Sequence, residues 1–486
     1  MFLWFFLTLL AIYYALQRYI LVLWKRGVGE LPPGPFPLPL LGNALSLDPS
    51  KPYESAEAFA NKYGKLFTLM FGNQLALVIT DLSLARKALK DDRFQGRPKT
   101  VWHLLGFAHG IVLSEGDVYR EHRRFAMQAL KDYGFGKAAG EAFIQKEAAD
   151  LVQIIRSAGG KPMDAYVPFA ATVSNVMSYM LFGDSFNTSD PRFVEYIQFE
   201  AENFRDSANG SMVEMFHWLR FVPPFKGNFD RLRTRVETML KRLQELIDDH
   251  KRHFDPTNPR DYIDAFLVAQ QSGAPSFTDR QLLHNIGDLY AASMETTTTF
   301  LRWAMLFMML HPEVQEKARQ EIDRVTGRSR PVTFADRAAL PYVEATFHEV
   351  FRMANFGPFL VPHKTETEVD FEGYVLPKDT TVIVLSWHIN KDPKLWKDVD
   401  SFKPERFLTA DGALDSAATN NIISFSVGKR VCPGEQLARM EMLIFFSSIL
   451  QNFTVAAEEG KTPSTVQVNG LALTPQPYLM RAIPRK

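Results

Sequence analysis

The sequence predicts a mainly α domain with small β-sheets (α+β), preceded by a transmembrane helix, and three observations predict it. Residues 1–24 form an almost unbroken apolar run. Helical periodicity dominates from Gly116 to about Met353. Strand-like runs flank that helical mass: KLFTLMF and LALVIT before it, then VDFEGYVLP, TTVIVLSW, FTVAA and YLMRAI after it. No repeat or low-complexity segment appears, and no linker after residue 35 justifies a cut, so residues 36–486 read as one domain.

Taken in order, the run MFLWFFLTLLAIYYALQRYILVLW is apolar but for Thr8, Gln17 and Arg18. About twenty such residues cross a hydrocarbon core as a helix. A cleaved secretory signal competes with this reading. The run has no positive n-region and no small-residue cleavage site, and Lys25 and Arg26 follow it. These flanks favour an uncleaved signal anchor at 1–24 with the downstream chain cytosolic. Residues 25–35 form a basic and proline-rich hinge, in which Pro32, Pro33 and Pro35 fix φ and cannot continue a helix. A helical patch follows from Tyr53 to Tyr63. A second apolar stretch at 212–225, with Phe216, Trp218 and Phe221, fits either core or a shallow membrane contact.

The longest helix is expected from Gln281 to Leu310. Thr278 and Gln281 have capping-box spacing at its start, and His311-Pro312 closes it. Thirty residues give a helix of roughly 45 Å. Inside it stands AASMETTTT, whose consecutive Thr296, Thr297, Thr298 and Thr299 are poor helix formers that bond back to the preceding turn.

Basic and acidic residues balance at 55 each, so no polyanion such as nucleic acid is implied as a partner. The single cysteine, Cys432, excludes a disulfide framework. A lone cysteine is by default a small buried hydrophobe. The string FSVGKRVCPGEQLARMEM gives this one a different setting. Gly428 and Gly434 offer positive φ and close backbone approach, Lys429 and Arg430 are cationic, and a helix begins near Glu435. A helix N-terminus aimed at sulfur favours thiolate over thiol. Tetrahedral zinc needs Cys or His companions at short spacing, and the nearest upstream histidine is His388. Haem iron fits better, because the porphyrin supplies four ligands and the protein need give one.

Phe425, Gly428, Arg430, Cys432 and Gly434 reproduce F-x-x-G-x-R-x-C-x-G. In this motif, and along nearly its whole length, the chain resembles the cytochrome P-450 family, most of all animal microsomal members of the family-two clan. The resemblance implies the cytochrome P-450 fold and haem b (iron protoporphyrin IX) with Cys432 as its axial thiolate. It implies catalytic roles for Thr296 and Glu295, which match the segment where an acid and an alcohol guide water and protons toward dioxygen. Ser293 departs from the glycine usual there. Glu349 and Arg352, with Arg406 of PERF, match a buried charge network on the haem's proximal side. By the same resemblance Arg97, Arg123, His363 and Arg430 hold the propionates. Tyr119 stands where tryptophan is usual, and Phe425, Gly428 and Gly434 complete the cofactor-binding set.

By position, Val101, Leu104, Phe107, Ile111, Ala292, Phe359 to Val361 and Leu471 to Leu473 enclose an apolar substrate pocket. The implied activity is a monooxygenase inserting one oxygen atom of dioxygen into a lipophilic molecule: a steroid, fatty acid, terpenoid or xenobiotic. The implied partners are an NADPH-dependent cytochrome P-450 reductase, for which Arg123, Arg124 and Lys429 are candidate docking cations, and a small b-type cytochrome. The implied location is the endoplasmic reticulum membrane, single-pass, with the catalytic domain cytosolic. Two alternatives keep the haem: an isomerase or dehydratase working without external electrons, and a non-enzymatic haem sensor or carrier.

Overall fold

The computed structural model describes residues 2–188, 190–206 and 211–485. Among the described residues helices dominate, and four small sheets lie between them. The largest sheet has the strand order Leu66–Phe71, Gln74–Ile79, Thr381–Val384, His363–Lys364. Its first pair is an antiparallel hairpin, its middle pair is parallel with Ala76 opposite Thr381, and its last pair is antiparallel with His363 opposite Val382. The parallel pair joins segments some three hundred residues apart, so early and late parts of the chain share one core.

The expected VDFEGYVLP run makes its own hairpin, Val369–Phe371 with Tyr374–Leu376. FTVAA and the terminal strand also pair, Phe453–Ala457 with Met480–Pro484. A short pairing of Gln467–Val468 with Thr474–Pro475 has no clear signature in the sequence.

The expected long helix runs from Asp279 to Leu310, 32 residues without a break. Thr278 caps it, accepting a hydrogen bond from Gln281 N at 3.1 Å, while the Gln281 side chain donates to Asn285 instead of returning to complete a box. The helix is buried on nearly every side, as a helix crossing the centre of a large domain must be. Burying consecutive threonines requires partners for their hydroxyls. Thr296 donates to Ala292 O at 2.8 Å and Thr298 to Met294 O at 2.7 Å, both back-bonds within the helix, while Thr299 donates to Glu295 Oε1 at 3.4 Å. The Glu435–Asn452 helix packs alongside, and Thr297 meets buried Glu441 across that contact.

The E-x-x-R pair lies on the Pro341–Ala354 helix, with both side chains buried. Arg352 donates twice to Glu349, at 2.7 and 2.9 Å, and Arg406 donates to Glu349 Oε1 at 3.0 Å. Further guanidinium hydrogens go to the carbonyls of Asn390, Val399 and Ser401 from Arg352, and of Lys397, Asp398 and Ser401 from Arg406. Lys403 N adds a fourth bond to the carboxylate at 2.7 Å.

At the other end, the first helix spans Phe2–Gly27. It covers the expected anchor and continues through Lys25 and Arg26. Among the described residues no helix is long and apolar enough to cross a membrane. Of the expected hinge, 25–27 end the first helix, 28–31 turn, and only 32–35 run without helix or strand; the segment is pinned to the body. Arg26 donates to Thr68 Oγ1 at 2.9 Å, Thr68 O at 2.8 Å and Pro35 O at 3.0 Å, while Thr68 donates its own hydroxyl to Pro32 O.

Candidate functional site

The segment 425–435 folds into a tight loop around the cysteine. Cys432 N donates to Phe425 O at 2.9 Å, and Val431 N donates to Gly428 O at 3.1 Å. Gly428 has φ +82°, and a Cβ there would lie 2.2 Å from Leu89 O, so only glycine fits. Gly434 differs from expectation. Its φ is −87°, within the ordinary range, because it serves as the cap from which the Glu435–Asn452 helix starts. The Phe425 ring packs edge-on against Phe351 at 5.3 Å, holding one end of the loop on the core.

The N–H groups of Gly434 and Glu435 are directed to the half-buried Cys432 sulfur, and Arg123 stands close enough to favour its anion. Burial nevertheless outweighs these contributions and pushes the thiol's pKa up. The expected bias toward thiolate is therefore reversed in the bare protein.

A cluster of cations lies beside the loop. Buried Arg97 donates Nε to Val112 O at 3.1 Å and Nη1 to Val361 O and Pro362 O at 3.1 and 2.8 Å. Arg430 donates to Gln95 O at 3.1 Å and Ser114 O at 2.8 Å, and its guanidinium lies 3.4 Å over the Tyr119 ring. Tyr119 donates its hydroxyl to Lys429 O at 2.8 Å, and Arg123 donates to Val431 O at 2.6 Å. His363 Nδ1 meets Phe94 O at 2.7 Å.

These charges are unfavourable to one another. Burial, and then Arg430, push Arg97 down to about 9. Burial and Arg97 push His363 down to about 3, leaving the ring neutral. One donor, Arg430 Nη1, is buried with no hydrogen-bond partner among the described residues. A carboxylate-bearing ligand answers that orphaned donor and the surrounding positive charge together, as the propionates of a haem do.

The long helix has one open stripe. Most of its residues are buried, yet Asp288 and Thr296 are half-buried and Ala292 is exposed, one turn apart on one face. Ser293 turns its hydroxyl back onto Tyr290 O at 2.9 Å. Glu295 lies about 100° around the helix from Thr296 and is buried. It accepts the Tyr166 hydroxyl at 3.0 Å, and Arg302 covers the Tyr166 ring.

A family model described as Cytochrome P450 matches residues 32–482. The chain belongs to the cytochrome P450 family. It is 36% identical over 471 residues to cytochrome P450 2K4 of Oncorhynchus mykiss, covering 94% of this chain and 92% of that one. To cytochrome P450 2J3 of Rattus norvegicus it is 36% identical over 465 residues, 93% and 91% of the two chains. To cytochrome P450 2A6 of Homo sapiens it is 33% identical over 478 residues, 95% of each. As a cytochrome P450 it is a monooxygenase. The family's haem is bound through a cysteine thiolate, and this cytochrome P450 has one cysteine.

Of the site residues read from the sequence, this cytochrome P450 gathers Arg97, Tyr119, Arg123, His363 and Arg430 around the loop that carries Phe425, Gly428, Cys432 and Gly434. It does not bring Glu295 to Thr296, because adjacent helical positions diverge. Of the candidate docking cations, Arg124 is exposed, Lys429 is exposed but paired with Asp92 at 2.7 Å, and Arg123 is committed to Val431 O. Among the pocket positions, Val101, Ile111 and Leu473 are buried in hydrophobic clusters, whereas Val361 and Leu471 are exposed.

Sequence reasoning missed Glu441. Its carboxyl is buried against Thr297 and pushed up to about 8 by desolvation, so it is neutral at pH 7. An acid inside the otherwise apolar run MEMLIFF was the available signal.

Proposed function

We propose that this chain is a membrane-attached monooxygenase that inserts one oxygen atom of dioxygen into a lipophilic organic substrate, with electrons from an NADPH-dependent flavoprotein reductase. The observation that carries the reading is the pairing of the Cys432 loop with a cluster of buried cations whose Arg430 Nη1 lacks a partner among the described residues. Haem b, ligated by Cys432, supplies the reductive activation of dioxygen when bound. Arg97, Arg430 and His363 hold its carboxylates, and His363 gains a proton as their negative charge offsets the two guanidiniums.

Thr296 handles protons at the open stripe of the long helix. Its hydroxyl proton is committed to Ala292 O, which leaves the oxygen as an acceptor for an incoming water or substrate group. Glu295 is the second group of this proton-handling reading, and it holds the Tyr166 hydroxyl. The apolar residues of the 101–112 segment, with Val361, orient the substrate.

Attachment is supported by a chain of apolar contacts. The first helix exposes Trp4, Phe5, Phe6, Leu10 and Tyr13, and its Tyr19 meets exposed Phe36 at 6.5 Å. Leu38, Leu40 and Leu45 continue the surface toward Phe216, which sits against Gly72, with Trp218 and Phe221 exposed beside it. A surface of this kind favours a bilayer over water. We assign it to the endoplasmic reticulum, with the first helix as a single-pass anchor and the catalytic domain in the cytosol. A small b-type cytochrome is a second electron donor consistent with the exposed Arg124 and Lys429.

One assay series tests the reading. Reduced wild-type protein under carbon monoxide is expected to show a red-shifted Soret band, which Cys432→Ser abolishes. With NADPH and reductase, Thr296→Ala is expected to oxidise NADPH with most of the product lost, and Thr296→Ser to recover much of it. An unchanged spectrum in Cys432→Ser sinks the ligand assignment. Equal product per NADPH in wild type and Thr296→Ala sinks the proton role.

A further inference from the structure

A cavity of about 460 Å³ lies against the Cys432 loop, within the size range of small-molecule sites. It is lined by none of Arg97, Tyr119, Arg123, His363 or Arg430, so it is separate from the cation cluster described above. Arg86 comes to it from the Leu82–Lys90 helix, His348 from the Pro341–Ala354 helix, Arg439 from the Glu435–Asn452 helix, and Ser426 from the loop itself.

Three buried polar atoms of its wall have no hydrogen-bond partner among the described residues: Arg86 Nε, His348 Nδ1 and Ser426 Oγ. Each side chain is held in place by other contacts. Arg86 donates Nη2 to Asn420 O, and the His348 ring packs 5.4 Å from that of Phe407. Ser426 has a left-handed backbone, φ +64°, a conformation that costs energy in a residue with a Cβ.

The charge around the cavity is out of balance. Arg439 is paired with Glu435 at 2.9 Å and Arg337 with Glu344 at 2.8 Å, while Arg86 meets no carboxylate among the described residues. Burial, and then Arg439 and Arg337, push His348 down to about 3, so its ring is neutral at pH 7. An anion in the cavity answers the Arg86 and Ser426 donors and lets His348 take a proton. Phe351, Ile422, Phe425 and Val431 make the rest of the wall apolar. A purely apolar occupant would leave the three polar atoms buried and unpaired, at a cost.

We propose that this cavity binds a small organic anion: a carboxylate, sulfonate or phosphate group carried on a compact apolar body. Arg86, His348 and Ser426 hold the anionic group, and Phe351, Ile422 and Phe425 hold the apolar part. The occupant bears on the loop directly, because Phe425 lines the cavity and its carbonyl accepts from Cys432 N at 2.9 Å. The site rests on this geometry and not on the monooxygenase reading.

Equilibrium dialysis of the full-length holoprotein against naphthalene-2-carboxylate tests the site. Excess 4-phenylimidazole, a nitrogen ligand for haem iron, keeps the probe out of the substrate pocket. Wild type is expected to bind the carboxylate at least tenfold more tightly than the neutral naphthalene-2-methanol. Arg86→Gln, which keeps most of the side chain and removes its charge, should weaken the carboxylate at least tenfold and leave the alcohol unchanged. His348→Phe, which keeps a ring against Phe407, should do the same, and Ser426→Ala should cost about threefold. Arg120→Gln, at an exposed cation outside the cavity, should change neither probe.

Equal affinity for the carboxylate and the alcohol overturns the site, as does an unchanged carboxylate affinity in Arg86→Gln. Hydrogen–deuterium exchange gives the location and carries the test if the His348 variant fails to fold. The carboxylate should slow exchange at Ser426 and its neighbours and leave Arg97 and Ser114 unchanged. Protection at Arg97 and Ser114 instead puts the probe in the cofactor cradle and overturns the site. Failure of wild type to bind 4-phenylimidazole overturns the haem reading, and the variants still decide the cavity.

Discussion

Two clusters of buried charge lie in this molecule, and they are balanced in opposite ways. Around Glu349 a carboxylate is present and the hydrogen bonding is satisfied: it meets two guanidiniums, and backbone carbonyls take up outer guanidinium hydrogens. Around Arg430 neither holds. Two guanidiniums and an imidazole are gathered with, among the described residues, no carboxylate bonded to any of their side chains, and Arg430 Nη1 is left over. A buried charge set that is complete needs nothing from outside and serves the fold. One that is incomplete destabilises the bare protein and gains most from a ligand of the missing sign.

The largest effect that would break this contrast is expected at Arg352. Arg352→Ala leaves the buried Glu349 carboxylate with Arg406 and Lys403 N alone and should cost about 3 kcal/mol, with or without cofactor, measured by denaturant unfolding. A loss under 1 kcal/mol would show that the network is not structural.

Arg430→Ala is expected to behave otherwise. It forfeits two hydrogen bonds worth about 1 kcal/mol each but relieves the repulsion with Arg97, so apoprotein stability should change by less than about 2 kcal/mol. Haem retention, followed by absorbance per protein after gel filtration, should fall at least tenfold. Large apoprotein destabilisation with haem retention intact would reverse the two clusters' roles.

The smallest effect is a pH dependence. His363 has a folded-state pKa of about 3 against an ordinary 6.5, so the unfolded chain binds the extra proton as the solution is acidified. Apoprotein stability from this group is therefore full above pH 6.5 and is lost as pH falls toward 3. Wild type should lose on the order of 2 kcal/mol more than His363→Gln between pH 7 and pH 5. Bound haem should shrink that difference, since its carboxylates favour the protonated ring. A difference that is the same in apo- and holoprotein would remove His363 from the cradle.

What the sequence made legible follows the range of the interactions. The 32-residue helix, the strand pairs and the Cys432 loop are written in local periodicity and in a short motif. The cation cluster was reached only through resemblance, because Arg97, Tyr119, His363 and Arg430 are scattered across more than three hundred residues. Three features were illegible for physical reasons. Glu295 and Thr296 are neighbours in sequence, but helical geometry sends them to different faces. The Cys432 thiol is surrounded by groups that favour its anion, and only the extent of burial reverses their sum. Asp288 and Glu214 bond to backbone amides, which carry no side-chain identity for a pattern to match.

Arg26 has a mechanical consequence. It is the penultimate residue of the first helix, and glycines at 27 and 29 follow it, where a free swivel would be expected. Its three bonds to Thr68 and Pro35 bypass that swivel and rivet the helix end directly to the leading sheet. The body therefore rides on its first helix as a keel rides on a hull: a tilt of one is a tilt of the other. Shortening the chain to begin at Lys25 spares the rivet, whereas beginning it at Glu30 removes the guanidinium and leaves those oxygens to the solvent.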